Sequence, residues 1–96
     1  MAGYRLSNTA VADVERIYQY SILNFGLTKA NTYIDRLHDR LSVLNEQPHW
    51  GNAYAHIAPE LKRYEYGAHS IYYEIADGGI FIIRVLGNRQ DPARHF

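Results

Sequence analysis

The chain has 96 residues, 47% of them apolar, and its ten basic residues balance ten acidic ones. One domain spanning residues 1–96 is expected at this length, and the balanced charge gives no general nucleic-acid signature. The absence of cysteine excludes disulfides and thiolate metal sites, and no apolar run approaches the ~20 residues of a membrane span.

In chain order, "YRLS" (4–7) sets Tyr4 and Leu6 against Arg5, a short strand. Ser7 is placed to cap a first helix, with Asp13 and Glu15 early in it, where negative charge suits the helix dipole. Val11, Val14, Ile17, Tyr18, Ile22 and Phe25 form its apolar stripe, and Gly26 ends it. Thr28 is expected to cap a second helix with the seam Ala30, Tyr33, Ile34, Leu37, Leu41 and Leu44, stopped by Pro48. So short a connection makes the two helices an antiparallel hairpin.

"PHWGNAYAHIAPE" (48–60) has no period and reads as a loop, pinned to the core by Trp50. Three strands follow: "LKRYEYG" (61–67), "HSIYYEI" (69–75) and "IFIIRVL" (80–86). "ADGG" (76–79) is a tight turn in which Gly78 and Gly79 supply positive φ. The last strand is apolar on both faces, as a central strand covered on both sides would be. The expected fold class is α+β, in the order β-α-α-β-β-β. The helical hairpin packs on one face of an antiparallel sheet, the first strand beside the last.

The segment 84–96, "RVLGNRQDPARHF", holds Arg84, Arg89 and Arg94 against the single acid Asp91, with His95 alongside. Nine tyrosines are many for the length and suit half-buried contact surfaces. Partner recognition is one reading of this cluster. The other is local: Arg84 pairs with Glu74 across the hairpin, Arg89 pairs with Asp91, and His95 is solvated. The five histidines, His38, His49, His56, His69 and His95, lack metal-ligand spacing. No nucleophile elbow or phosphate loop is present, so neither metal nor cofactor is expected.

The opening "YRLS", the Pro48–Gly51 loop, "YYEI" (72–75) and "IIRVLGNRQDPARH" (82–95), in that order across nearly the whole chain, resemble the ParE-type toxins of bacterial toxin–antitoxin modules, part of the RelE/ParE superfamily. Two departures stand out: Asn8, where the family often has Pro, and Ala68, where it often has Arg. The resemblance implies a cytoplasmic toxin, without membrane association, in a hetero-oligomeric complex with a cognate ParD-like antitoxin. It further implies inhibition of DNA gyrase by binding.

RelE-type relatives cut mRNA on the ribosome, and for that reading the resemblance implies Lys62, Arg89 and His95 as catalytic residues. Ser70, however, stands where those enzymes carry an Arg, and losing one such charge-stabilising donor costs about 3–4 kcal/mol. A third reading is a non-toxic member that only forms complexes. The expected partner-binding residues are Arg63, Tyr66, Arg84, Arg89 and Arg94, since a guanidinium holds carboxylate and phosphate alike. Their expected location is an open sheet face.

Overall fold

A computed structural model describes residues 3–96. Its elements are β1 (Arg5–Leu6), α1 (Asn8–Phe25), α2 (Leu27–Glu46), β2 (Asn52–Ala53), β3 (Lys62–Tyr66), β4 (His69–Ala76) and β5 (Gly79–Gly87). Short 3-10 turns lie at Pro48–Trp50 and Pro92–Arg94. The helical hairpin covers one face of a five-stranded sheet ordered β1-β5-β4-β3-β2. β1 pairs with β5 in parallel and the remaining pairs are antiparallel, so the sheet is mixed. β2 is an addition to the expected order, because two residues carry no readable alternation.

Ser7 caps α1 as expected. Its Oγ accepts from the Ala10 N–H at 2.9 Å and donates to the Ile83 carbonyl at 2.7 Å, fastening the helix start to β5. The buried row of α1 is Ala10, Asp13, Ile17 and Ser21, not the stripe expected from Val11 to Phe25. Val14 and Ile17 do pack on the core, but Val11 is 43% and Phe25 60% exposed. The helix is turned so that Asp13 faces β5. Asp13 also lies beyond the first turn, so it has no dipole role there.

Gly26, at φ 89°, both ends α1 and starts α2. Its N–H donates to the Ile22 carbonyl at 2.9 Å, and its carbonyl accepts from the Ala30 N–H at 3.1 Å. Such a φ favours glycine, since a Cβ would crowd the backbone. Thr28 is therefore not the cap expected: α2 begins at Leu27 without a side-chain cap. The α2 seam is as expected. Leu37, Leu41 and Leu44 are fully buried against Ile71, Tyr73, Ile80, Ile82 and Val85, with Tyr33 and Ile34 at the margin. Each such leucine contributes about 1.5–3 kcal/mol by leaving water.

Trp50 does not pin its loop, being 52% exposed. The Tyr73 hydroxyl does so instead, accepting from the Gly51 N–H at 2.9 Å and donating to the Pro48 carbonyl at 2.8 Å. In the β4–β5 turn, Asp77 (φ 51°) and Gly78 (φ 76°) occupy the two positive-φ positions of a two-residue hairpin loop. Gly79, expected to share that role, already belongs to β5.

β5 is covered on both faces, as its sequence predicts. Away from the helices, Leu61, Tyr72 and Leu86 form a second small core with Tyr54, Ile57, Ala58 and Ile83. The Phe96 ring meets Tyr72 edge-on at 5.2 Å between centroids. The sheet face away from the helices is thus covered in part, by the 54–61 segment and by Phe96, and stays accessible around Glu74 and Phe81.

Candidate functional site

The environment of the arginine cluster starts with a β-bulge. Tyr73 pairs with Ile82 but Tyr72 with Arg84, leaving Ile83 as the extra residue of β5. The bulge turns Ile83 to the second core, and Val85 returns to the helix-side core. β1 has ended by this point, so β5 has no strand on its outer side. Side chains close that edge instead: Ser7 on the Ile83 carbonyl, Asp13 on the Val85 N–H at 3.0 Å, and Gln90 on the Gly87 N–H at 2.7 Å.

Asp13 is the centre of this closure. Both of its oxygens accept from Arg84, from Nε at 2.8 Å and from Nη2 at 2.8 Å, and Arg16 donates as well. The Asp13 side chain is 2% exposed and that of Arg84 14%. The hydrogen bonds to Asp13 raise the Arg84 guanidinium above its ordinary value, outweighing the opposing effect of burial. Arg84 Nη1 donates to the His95 carbonyl at 2.9 Å, tying the following segment back to the sheet. The partner of Arg84 is therefore Asp13 on α1 and not Glu74, the expected one.

The other expected residues are dispersed. Arg94 is 84% exposed and lies 3.9 Å from Asp91, taking the place expected for Arg89. Arg89 is exposed and forms no ion pair among the described residues. Arg63 Nε donates to the Tyr72 hydroxyl at 3.2 Å and Nη1 meets Glu65 at 2.9 Å, on the face away from the helices. Lys62 pairs across the ladder with Tyr73, and Arg63 with Tyr72. Alternation puts Lys62 on the helix side of the sheet, while the Phe96 end of the tail lies against Tyr72 on the other. The structure does not bring Lys62 together with the tail that holds His95. Tyr66 is separate again, at the helix side with the Arg40 guanidinium 5.5 Å from its ring centroid.

What the structure does bring together is a groove at the tip of the helical hairpin. Three adjoining cavities form it. The first, about 160 Å³, lies beside Asp13, Arg16, Tyr20, His69 and Gln90. A second, about 330 Å³, shares Tyr20 and His69 and adds Phe25, Lys29 and Tyr33. A third, about 440 Å³, shares Lys29 and Tyr33 and reaches Arg36 and Tyr66. Tyr20 and Phe25 in its wall, and Leu23 and Leu27 near them in the chain, are 57–86% exposed, large apolar side chains left in water.

The floor carries one polar pair, with Tyr33 Oη 2.6 Å from His69 Nδ1 and 3.5 Å from the Tyr66 carbonyl. Burial lowers the His69 pKa, favouring the neutral ring. Of these residues only Tyr66 figures among the expected contacts. The available signal was Tyr20 and Leu23, apolar residues off the α1 stripe. Among the described residues no three His, Asp or Glu side chains are grouped to hold a metal, and no helix is long and apolar enough to cross a membrane.

This fold has relatives. Residues 4–92 match the family described as "ParE toxin of type II toxin-antitoxin system, parDE", and the chain belongs to that family. It is 29% identical over 93 residues to Toxin ParE1 of Mycobacterium tuberculosis, covering 96% of this chain and 95% of the relative. To Toxin ParE1 of Caulobacter vibrioides it is 30% identical over 95 residues, covering 99% and 98%. A solved structure titled "Chromosomal ParDE TA system from P. aeruginosa" superposes with a TM-score of 0.75 at 19% identity, over 91% of this chain and 96% of that one. At that identity the likeness is one of fold.

Proposed function

We propose that this chain acts as a ParE-like toxin that inhibits DNA gyrase by binding, in the cytoplasm, and that a cognate ParD-like antitoxin neutralises it in a hetero-oligomeric complex. Membership of the toxin family over residues 4–92 carries the reading. Inhibition by binding alone is supported by the separation of Lys62 from the tail that carries Arg89 and His95. Lys62 lies on the helix side of the sheet, while the tail with His95 closes against the opposite face. Acid–base cleavage requires its groups within hydrogen-bond reach of one substrate. Arg89 and Arg94 stay exposed on the tail and are the cations offered to a target.

The test is induction of the chain alone, followed by assays of DNA supercoiling and transcript integrity in the same cells. The expected outcome is growth arrest with loss of supercoiling or trapped DNA breaks, intact mRNA, and rescue by co-expression of a cognate ParD-like antitoxin. Cut transcripts with normal supercoiling would replace this reading with the ribonuclease one. Unimpaired growth would leave only a complex-forming role.

A further inference from the structure

The segment that follows β5 is fastened at two places and exposed between them. At its start, Asn88 grips the turn before β4. Its N–H donates to the Ala68 carbonyl at 2.9 Å and its side-chain amide to the Gly67 carbonyl at 3.1 Å. Its Oδ1 accepts from the hydroxyl of buried Ser70 at 2.6 Å. At its finish, the His95 carbonyl accepts from Arg84 Nη1 at 2.9 Å, and the Phe96 ring meets that of Tyr72. In between, Asp91 Oδ1 accepts from the Ala93 N–H at 3.0 Å and caps a short turn, while Arg89 and Arg94 are exposed.

Arg84 gives the second fastening its direction. Its Nε and Nη2 both donate to Asp13, and a bidentate pair of this kind fixes the plane of the guanidinium. Asp13 is held in turn by the Val85 N–H at 3.0 Å and by Arg16. The remaining nitrogen, Nη1, therefore points in a set direction, and the His95 carbonyl lies along it. Helix α1, strand β5 and the tail meet in this one side chain. A lysine would keep the charge beside Asp13 but not the planar fork that reaches both partners.

We propose that residues 88–96 form an arch clamped at Asn88 and at His95–Phe96, and that Arg84 is the positioning residue that holds Arg89 and Arg94 on this arch in the pose a target meets. The inference rests on the proposed toxin role and adds a cause to it. Cations on a clamped arch bind without first losing the freedom of a loose segment. Arg84 acts through the tail and not by touching the target, since its side chain is 14% exposed and its donors are taken up inside the chain.

The experiment pairs backbone amide relaxation of the purified chain with its inhibition of gyrase supercoiling. Arg84→Lys and Phe96→Ala are expected to make residues 89–95 more mobile than β4 and to raise the inhibitory concentration roughly tenfold. Phe96→Tyr, which keeps a ring against Tyr72, is expected to behave as the unsubstituted chain does. Tyr73→Phe loosens only the Pro48–Gly51 loop and is expected to lower stability with tail order and inhibition unchanged. Tails as ordered in Arg84→Lys and Phe96→Ala as in the unsubstituted chain would overturn the inference, whether or not gyrase is inhibited. A loosened tail with full inhibition would also overturn it, as would Tyr73→Phe weakening inhibition as much as Arg84→Lys does. An unsubstituted chain that has an ordered tail and leaves gyrase active would overturn the toxin reading, and the positioning role with it.

Discussion

The two ends of α1 meet opposite fates. At its start, Ser7 and Asp13 close the exposed edge of β5, and Asp13 takes the one arginine of the tail that points inward. At its finish, Tyr20, Leu23 and Phe25 are left in water beside a groove. The first end holds polar groups that the chain satisfies by itself. The second holds apolar groups that nothing among the described residues covers. A cluster of charges in a sequence therefore need not be a partner surface, because an internal acid can absorb it. A run of large apolar residues at a helix tip has no such internal remedy.

The sharpest way to break this contrast is to remove the internal acid. Asp13→Ala leaves the Arg84 guanidinium, with its side chain 14% exposed, without its counter-charge. Loss of one partner from a buried pair costs about 3–5 kcal/mol, so the urea midpoint should fall steeply. A midpoint close to that of the unsubstituted chain would mean that the pair does not hold the β5 edge. Next in size is Tyr73→Phe, which strips the Gly51 N–H and Pro48 carbonyl of their shared hydroxyl. A buried donor left unpaired costs about 1–3 kcal/mol, again read from chemical denaturation.

At the exposed cations the expectation reverses. Arg89→Ala and Arg94→Ala should change stability by less than about 0.5 kcal/mol, as surface substitutions do. Growth arrest should nonetheless weaken if these cations meet the target. Undiminished arrest with the double variant would remove the tail from the proposed toxic surface.

The smallest effect is pH-dependent. Burial lowers the His69 pKa in the fold, so the unfolded chain binds this proton more readily. The stabilisation from the neutral ring is complete above the unfolded value of about 6.5 and is lost as pH falls toward the folded value. Stability should thus decline from pH 7 to pH 5 by more in the unsubstituted chain than in His69→Gln. Parallel declines would show that His69 does not titrate differently on folding.

The residues that explain themselves locally were readable in the sequence. The leucine seam of α2, the Ser7 cap, the two-sided apolar pattern of β5 and the Asp77–Gly78 turn region each follow from spacing or turn chemistry. The misreadings have a common cause. The helix phase of α1, the partner of Arg84 and the exposure of Trp50 all depend on contacts between residues far apart in the chain. Asp13 and Arg84 are 71 positions apart, and a single bulge at Ile83 decides which way Arg84 points. No local pattern encodes that. His69 stands in no metal-ligand spacing in the sequence, and its contact with Tyr33 arises only on folding.

Amide hydrogen exchange on the unsubstituted chain, compared with Asp13→Ala, tests the division between the two ends of α1 most directly. The account predicts faster exchange at the Val85 amide in Asp13→Ala and unchanged exchange across residues 20–36. A Val85 amide that exchanges equally in both chains would contradict it.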